Sequence, residues 1–430
     1  MSEKIKIAFT SVGCKLNKFE VQVIAESLIP LGFRITSFQE PADCYVINTC
    51  TVTSRADLSS RQYIKKARRL SPTAKIIVTG CYAQMRPEVF SSLGADMLVS
   101  NTEKEKLPAI LTELYREEMA FHSNPAFVAS PELISESNPT DLTRAYVKIQ
   151  EGCDEKCSFC TIWMARGPVR SRPVMEIIND INKKVQAGYF EAVLTGVHIG
   201  KYDFDNINLY SLIKKILECT DISRLRLSSL NPTEINEDII NLLMENHRVC
   251  PHLHLSIQSA DDKILQAMNR KYSNSFIRKI IERLTNSISN ITIGADFITG
   301  FPGESDVQFE NTLALTKDMP FGYLHVFPYS DRPFTISAKL ADKIPSDLKW
   351  HRANILKKLG NNKKSAHQAK FLGLTLNVLV EKRNSDSGLL TGLAENYIRI
   401  NLHGDSTYKG KIIPVLVENI IDNKLYGILA

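Results

Sequence analysis

The stretch AYVKIQEGCDEKCSFC, residues 145–160, decides the fold of this 430-residue chain. Its first five residues form a mostly apolar run that predicts a β-strand, and three cysteines, Cys153, Cys157 and Cys160, follow closely. In β/α folds, ligands bind at the carboxyl ends of the strands. The stretch therefore predicts the first strand of a β/α domain, followed by a thiolate-lined loop at the end where chemistry is placed.

The sequence after this stretch repeats the β/α alternation. The strand candidates are AYVKI, EAVLTG, RLRLSS, HLHLSI, ITIGADFI and YLHVF. A closed barrel of this kind needs eight β/α units, so these six predict an open, partial (β/α)6 barrel over residues 143–370. Residues 347–370 predict a long basic helix at its end.

The N-terminal residues 3–118 predict a separate α/β domain with a parallel sheet. Three of its strands end in cysteine, in the runs TSVGCKLN, VINTCTVT and IIVTGCYAQ. Because parallel strands direct their carboxyl ends to one edge, we expect Cys14, Cys50 and Cys81 to meet there as a second triad. The alternative is that these three are ordinary buried cysteines, a frequent place for free thiols.

Two further segments flank the predicted barrel. Residues 119–142 contain several prolines and serines without a clear period and predict a linker. Residues 371–430 contain five short strand-like runs, LNVLVE, LLTGL, NYIRINL, IIPVLVENI and KLYGIL, separated by Gly, Asn and Asp turns. This pattern predicts a small all-β barrel of the oligonucleotide-binding type.

Composition excludes several classes of protein. The N-terminus lacks the apolar core of a signal peptide, and no apolar run reaches the roughly 18 residues of a membrane span. We therefore expect a cytoplasmic protein without membrane contact. A reducing compartment favours metal ligation over disulfides for its nine cysteines. The net charge of +6 permits a polyanionic partner without requiring one.

The spacing of the first triad indicates an iron-sulfur cluster with an open position. A structural zinc site fills four positions with Cys and His, whereas this loop offers three thiolates. Three thiolates on a four-iron cluster leave one iron free for a small ligand. The alternative interpretation is a zinc knuckle completed by a distant histidine.

The motifs resemble one family along nearly the whole chain. The CxxxCxxC spacing with Phe159 before its last cysteine is similar to the motif of radical S-adenosylmethionine (SAM) enzymes. The chain as a whole resembles the radical SAM methylthiotransferases in the runs VGCKLN, NTCTVT, GCYAQ, ARGPVRSRP, LTGVHIG, LHLSIQSADDKILQAMNRKY, DFITGFPGE and LHVFPYSDRP. It departs from that family at Ala260, where Gly is usual, and at Phe334, where small residues are common.

The resemblance implies an architecture and a set of cofactors. The family has an N-terminal cluster domain, a radical SAM core and a C-terminal TRAM domain. It uses two 4Fe-4S clusters, one on Cys14, Cys50 and Cys81 and the catalytic one on Cys153, Cys157 and Cys160. The first carries the sulfur that one SAM methylates, and a radical made from a second SAM at the other removes the hydrogen that the methylthio group replaces. An electron donor such as flavodoxin or ferredoxin and a sulfur donor are implied as partners.

The resemblance also assigns cofactor contacts at the strand ends. The residues expected around SAM are Phe159, Thr195, Gly196, Gln258, Asp296 and Phe327. Gly196 has an alternative role as a plain strand-end turn. Gln258 and Asp296 have the alternative of hydrogen bonds inside the barrel.

The implied substrate is tRNA. The motifs are most similar to the branch that modifies carbon 2 of threonylcarbamoyladenosine in the anticodon loop. Residues 55–69 hold six Lys or Arg, and residues 349–370 hold seven, which suits phosphate contacts, although such runs are often only solvated helix faces. Arg166 and Arg170 are the expected partners of the substrate carboxylate.

Three hypotheses compete. The first is this tRNA methylthiotransferase, and the second keeps the chemistry but acts on isopentenyladenosine in tRNA or on a ribosomal protein side chain. The third is an iron-sulfur protein that binds RNA or transfers electrons without catalysis. SAM consumption separates the third from the others, and the macromolecule that gains mass separates the first two.

Overall fold

The N-terminal domain is an α/β layer around one parallel sheet. The computed structural model describes residues 4–120, 143–385 and 387–430. Five strands form the sheet in the order β2-β1-β3-β4-β5, all parallel. The strands are β1 (Lys6–Ser11), β2 (Arg34–Thr36), β3 (Cys44–Thr49), β4 (Lys75–Gly80) and β5 (Met97–Leu98). The helices are α1 (Lys15–Leu28), α2 (Ser54–Leu70), α3 (Cys81–Met85), α4 (Pro87–Ser92), α5 (Leu107–Leu114) and α6 (Arg116–Ala120).

Apolar side chains on both faces of the sheet hold this domain together. Every residue of β3 is buried, as expected for the central strand of a sheet that is covered on both sides. Separate apolar clusters form on the two faces, one around Ile7 and Leu28 and the other around Ile47 and Phe90. The three predicted cysteine-bearing strands are confirmed as β1, β3 and β4.

The central domain is the partial barrel that the sequence predicts. Its strands are β6 (Ala145–Lys148), β7 (Gln150–Glu151), β8 (Arg170–Ser171), β9 (Glu191–Thr195), β10 (Asp203–Phe204), β11 (Ile207–Asn208), β12 (Arg224–Leu227), β13 (His252–Gln258), β14 (Thr292–Thr299) and β15 (Tyr323–Pro328). Its helices are α7 (Ile162–Arg166), α8 (Val174–Gln186), α9 (Leu209–Cys219), α10 (Glu237–Glu245), α11 (Asp262–Ala267), α12 (Asn274–Ser287), α13 (Asp306–Asp318) and α14 (Ser346–Ala369).

Six parallel strands of this domain form an open arc. They pair as β6-β9-β12 and as β13-β14-β15. Single bridges from Leu225 to Val249 and from Leu230 to Leu255 connect the two halves. One large apolar cluster fills the space between the strands and the surrounding helices. The edges of the arc are β6 and β15, which confirms the expectation of an open (β/α)6 barrel.

The C-terminal domain is a closed five-stranded barrel. Its strands are β16 (Thr375–Arg383), β17 (Leu390–Ala394), β18 (Arg399–Leu402), β19 (Ile412–Ile421) and β20 (Lys424–Leu429). They close in the order β16-β17-β18-β20-β19, and β18 and β20 are the parallel pair. This small closed barrel confirms the predicted all-β fold. The linker predicted over 119–142 lies, from residue 121 onward, outside the described residues.

The C-terminal barrel packs against the amino ends of the arc. Tyr397, in the turn between β17 and β18, stacks on His252 with ring centroids 4.1 Å apart. His252 is the first residue of β13, which places the contact at the amino end of that strand. Arg226 of β12 donates to the backbone carbonyls of Ala394 at 3.2 Å and Glu395 at 2.9 Å. The opposite end of the arc therefore remains for the chemistry.

The N-terminal domain contacts both edges of the arc. Lys148 of β6 pairs with Glu105 at 2.9 Å. At the other edge, the Ser330 hydroxyl, just after β15, lies 2.9 Å from the Ser54 hydroxyl at the start of α2. The N-terminal domain thus spans the side of the arc that has no strands.

Candidate active site

The loop that carries the first cysteine triad is fixed by close backbone contacts. Gly152 has φ +77°, and a Cβ there would lie 1.9 Å from the carbonyl oxygen of Pro168. The Cys153 amide then donates to the carbonyl of Gly167 at 3.0 Å. A glycine is required at position 152 because no side chain fits this approach. The result is a tight crossing of the two chain segments on either side of the cysteines.

The other end of the same loop is anchored to the barrel. The Ser158 amide donates to the carbonyl of Met268 at 3.1 Å, and its hydroxyl donates to the carbonyl of Ala267 at 2.7 Å. Arg270, two residues farther on, donates to the sulfur of Cys157 at 3.3 Å. A guanidinium at this distance stabilises a thiolate ligand. The run NRKY thus contributes a contact to the triad that sequence reasoning did not predict.

His198 is a second neighbour of this triad that sequence reasoning missed. Its Nδ1 lies 3.7 Å from the sulfur of Cys153, and its Nε2 contacts Glu234 and the Asn231 amide. The Gln150 side chain accepts from the His198 amide at 2.7 Å. The signal was present in the run LTGVHIG, since a histidine there follows a barrel strand by only three residues.

The second triad lies at the carboxyl edge of the N-terminal sheet. Cys14 precedes α1, Cys50 directly follows β3, and Cys81 is the first residue of α3. A Cβ on Gly13, whose φ is +91°, would lie 2.3 Å from the Cys50 sulfur. Burial, followed by the neighbouring Cys14 and Cys81 thiols, raises the pKa of Cys50 to about 12. The structure therefore brings the three predicted cysteines together.

Arg166 closely follows the first triad in sequence and contacts the second triad. It ends the short helix α7 that follows Cys160, and its Nε donates to the sulfur of Cys81 at 3.2 Å. The guanidinium also donates to Glu20 at 2.8 Å and Glu151 at 2.6 Å. Burial by itself would raise the pKa of Glu20, but Lys104 and Arg166 outweigh it and hold that pKa below its usual range.

These contacts give Arg166 a different role from the expected pairing with the substrate carboxylate. Its side chain is buried, and its donors face protein carboxylates, the Asn17 amide oxygen at 2.7 Å and the Cys81 sulfur. A buried cation in this position holds the N-terminal and central domains in register, and it leaves little donor capacity for a substrate carboxylate. Arg170 is exposed by contrast, with its guanidinium against the carbonyl of Arg166 at 3.3 Å.

A compact group of candidate ligand atoms lies inside the arc and not at either cysteine triad. In the part of the chain that the structure describes, one group brings three candidate ligand atoms within 4.8 Å of one another, namely His254, Asp296 and His325. Neither cysteine triad is that compact.

Asp296 lies inside the arc, between two histidines. Its Oδ1 accepts from His254 at 2.9 Å and from His325 at 3.2 Å. Burial alone would raise the pKa of Asp296, but these two hydrogen bonds outweigh it and lower that pKa below its usual range. The Tyr323 hydroxyl contacts the other ring nitrogen of His254 at 3.0 Å. The alternative of an internal hydrogen-bond role is therefore realised in this structure.

The remaining predicted cofactor residues occupy the carboxyl half of the arc. Gln258, at the end of β13, has φ +69°, which is uncommon for a residue with a side chain. A Cβ on Gly196 would lie 2.7 Å from the carbonyl oxygen of Gln150, so the turn needs glycine for packing. Thr195 is buried, whereas Phe327 is 45% exposed. Phe159 packs beside the apolar group around Met268 and Phe301.

Two protein-family models match the chain. Residues 6–100 match the uncharacterized protein family UPF0004, and residues 147–316 match the radical SAM superfamily. The second match contains Cys153, Cys157 and Cys160, and the first contains the other triad. Membership of the radical SAM superfamily implies SAM and a 4Fe-4S cluster as cofactors.

Curated relatives match both regions at once. The threonylcarbamoyladenosine tRNA methylthiotransferase MtaB of Aquifex aeolicus is 38% identical over 96% of this chain and 100% of its own length. The chain belongs to the radical SAM methylthiotransferase family. A family member from Endomicrobium trichonymphae, named tRNA-2-methylthio-N(6)-dimethylallyladenosine synthase, is 30% identical over 97% of this chain and 98% of its own length.

Solved structures support the fold of this methylthiotransferase. The radical SAM methyltransferase TsrM of Kitasatospora setae superposes with a TM-score of 0.55, covering 78% of this chain and 74% of that one at 13% identity. At this identity the likeness concerns the fold alone.

Two basic helices of the methylthiotransferase lie on its surface. Helix α2 begins four residues after Cys50, and its Lys65, Lys66 and Arg69 border an open groove along the helix. Helix α14 leads from the arc to the C-terminal barrel and exposes Lys358 and Lys364. No helix among residues 4–120, 143–385 and 387–430 has the length and apolar character needed to cross a membrane.

Proposed function

We propose that this protein is a tRNA (N(6)-L-threonylcarbamoyladenosine(37)-C(2))-methylthiotransferase, which replaces the adenine C2 hydrogen with a methylthio group. The observation that carries the proposal is the presence of two cysteine triads at one domain interface, where Arg166, which closely follows Cys160, reaches the Cys81 sulfur and Glu20. An electron-transfer protein needs no second open site of this kind. The named activity of the Aquifex relative supports the choice of substrate.

We propose that Cys14, Cys50 and Cys81 hold a second 4Fe-4S cluster. Support for this is that the three cysteines follow parallel strands at one edge of the sheet, and that the cation of Arg166 beside Cys81 offsets the negative charge of thiolate ligands. When bound, the two clusters and SAM supply the radical and sulfur chemistry, which is the cofactors' own. The protein binds, orients and shields these groups.

The chain's own residues have definable tasks around the proposed cofactors. Arg270 and His198 contact the sulfurs of Cys157 and Cys153 and keep the catalytic loop electrostatically balanced. The proposed SAM contacts are Phe159, Thr195, Gly196, Gln258, Asp296 and Phe327. Support for them is their position at the carboxyl half of the arc, where β/α domains bind ligands.

The proposed partners follow from charge and fold. The anticodon loop of tRNA is the substrate, with phosphate contacts along α2 and α14 and an RNA-binding role for the C-terminal barrel as a TRAM-type module. Arg170, exposed beside the catalytic loop, remains a candidate substrate contact. A flavodoxin or ferredoxin supplies electrons, a separate donor supplies sulfur, and the compartment is the cytoplasm, where tRNA is modified. The domain boundaries remain as proposed, at 3–118, 119–142, 143–370 and 371–430.

One experiment tests the substrate directly. The anaerobically reconstituted enzyme receives two tRNAs, one carrying threonylcarbamoyladenosine and one carrying isopentenyladenosine, and the methylthiolated nucleosides are measured by mass spectrometry. We expect product from the first. The Endomicrobium relative makes isopentenyl-type adenosine the second candidate, and preference for that tRNA, or for a ribosomal protein, would overturn the branch assignment.

A second experiment tests whether the two triads have separate roles, one in SAM cleavage and the other in forming the methylthio product. Replacing Cys14, Cys50 and Cys81 together should remove about half of the bound iron if both clusters have four irons. The variant should still cleave SAM but form no methylthio product. Unchanged iron content would return these cysteines to the interpretation as ordinary buried thiols.

A further inference from the structure

A small cavity opens between the two cysteine triads. Three of its lining residues, Thr51, Tyr82 and Thr161, each directly follow a cluster cysteine in sequence. The space inside it that the centre of a water-sized sphere can reach measures about 40 Å³. Pockets for whole small-molecule ligands measure about 300–1,000 Å³, so this cavity suits at most one substituent and not a complete nucleotide.

Three of the residues that line this cavity also carry a buried polar atom without a partner. Among the residues that the structure describes, Arg332 Nε, Asp57 Oδ1 and Thr161 Oγ1 are buried and find no hydrogen-bond partner. Buried polar groups are normally paired, because an unpaired one loses its bonds to water without replacement. Three such atoms around one cavity point to a ligand with complementary donors and acceptors.

The charges around the cavity favour an anion. Arg86 and Arg332 line it. The charge of Arg61 interacts with the lining residue Tyr82, as the charges of Arg86 and Arg332 also do. Asp57 is the opposing charge, and it pairs with Arg332. Arg86 pairs with Glu88 on the protein surface. Three arginines against these two carboxylates leave a net positive charge.

We propose that this cavity binds the threonylcarbamoyl arm of the substrate adenosine, an inference that rests on the proposed function. The arm carries a carboxylate and a urea carbonyl, which accept hydrogen bonds from Arg332 Nε and from Arg86, the other arginine that lines the cavity. Its urea N–H groups and hydroxyl donate to Asp57 Oδ1 and Thr161 Oγ1. The arm thereby offers a partner to each of the three unpartnered atoms, and the cavity is lined by residues that directly follow Cys50, Cys81 and Cys160.

Phe334 supports this assignment from the rim of the cavity. It has φ +74° and is 61% exposed. A bulky residue in the left-handed region is a genuine outlier, and such strain persists where the surroundings impose it, often at ligand clamps. At the rim, its ring provides an apolar cover for the aliphatic part of the arm.

The cavity would also discriminate between modified adenosines. An isopentenyl arm offers no donor or acceptor to Arg332, Asp57 or Thr161. A site built to hydrogen-bond one substituent rejects an analogue that lacks those groups far more strongly than an apolar pocket rejects an extra methyl group. The cavity therefore acts as the specificity site for the arm.

The test measures binding of three anticodon stem-loop RNAs to the anaerobically reconstituted full-length enzyme. The RNAs differ only at the target adenosine, which carries the threonylcarbamoyl arm, the isopentenyl arm or no arm. Thr161→Val removes one hydroxyl with little change of shape, and should cut the affinity advantage of the threonylcarbamoyl RNA about 3- to 10-fold. Arg332→Lys keeps a cation beside Asp57, and should cut it about 10- to 100-fold.

Two controls keep the result interpretable. Thr220→Val makes the same chemical deletion at a buried threonine far from the cavity, whose hydroxyl donates to the carbonyl of Ile216, and should leave the preference unchanged. Thermal unfolding of Thr161→Val should stay at or above the wild-type midpoint, because an unpartnered hydroxyl is removed. Equal loss of affinity for all three RNAs, or no loss in either variant, would overturn the cavity assignment.

The outcome also separates this inference from the proposed function. If the wild type methylthiolates the threonylcarbamoyl RNA and both variants keep its full preference, the function stands and the cavity assignment fails. If the wild type binds that RNA preferentially but methylthiolates none of the three, the proposed function fails while the arm site stands.

Discussion

Replacing Arg226 by methionine should weaken the contact between the C-terminal barrel and the arc. Arg226 pairs with Glu191 through two hydrogen bonds of 2.7 and 3.1 Å, and it donates to two backbone carbonyls of the C-terminal barrel. Methionine has a similar length but no charge and no donors. The change therefore removes one side of a buried ion pair and two contacts between domains at once.

The magnitude follows from the burial of Glu191. This carboxylate is 0% exposed, and breaking a buried ion pair from one side costs about 3–5 kcal/mol. Arg224 remains 3.8 Å from the same carboxylate and reduces the loss of stability. We therefore expect the lower end of that range, about 3 kcal/mol. The double variant Glu191→Gln with Arg226→Met leaves no unpaired charge and should recover much of the loss.

The sign of the pH dependence is fixed by the same pair. Burial by itself would raise the pKa of Glu191, but the Arg226 guanidinium outweighs it and holds that pKa below its usual range. A lowered pKa contributes stability above the unfolded value of about 4.3, and this contribution is lost as the pH falls through the folded value. The deficit of Arg226→Met should thus be full at neutral pH and shrink in acid.

Urea unfolding of the wild type, the single variant and the double variant at pH 7 and pH 4 measures these differences. Limited proteolysis near residue 371 reports whether the C-terminal barrel has come free. A deficit below about 1 kcal/mol for Arg226→Met at pH 7 would refute the buried-pair argument. A double variant less stable than the single one would refute it independently.

Three other perturbations have defined outcomes. Cys157→Ala should abolish 5′-deoxyadenosine formation while the N-terminal cluster still assembles, and an anaerobic variant that cleaves SAM at the normal rate would contradict the radical assignment. Gly13→Ala places a Cβ against the Cys50 sulfur and should lower bound iron toward about half of the wild-type value; full iron content would show that the turn can relax. Truncation after Lys370 keeps both triads but should weaken RNA binding, and unchanged tRNA binding and modification would reject the C-terminal barrel as an RNA-binding module.

The sequence predicted the backbone of the site better than its side-chain contacts. The strands, the six cysteines at strand ends and the open arc follow from local patterns, because apolar runs and strand-end positions are encoded by neighbouring residues. Arg166 shows the limit of this reasoning. Its position after the catalytic loop suggested a substrate contact, but its partners Glu20 and Glu151 are set by how two domains pack. No local pattern carries that information.

The same limit applies to residues that were not predicted. His198, Arg270 and Tyr397 lie in readable motifs or turns, yet each acts on a partner more than 40 residues away in sequence. Phe334 was visible as a departure from the family pattern, but its left-handed backbone and its place at the rim of a cavity required the fold.

The N-terminal domain covers the side of the six-stranded arc that has no strands. The N-terminal domain touches β6 through Lys148 and the end of β15 through Ser330, so it stands where two further strands would close a full barrel. This wall has its own sheet and its own apolar clusters, so its sequence can vary without disturbing the packing of the strands that carry the catalytic loop. The two cysteine triads therefore lie in two separately packed halves of one enclosure.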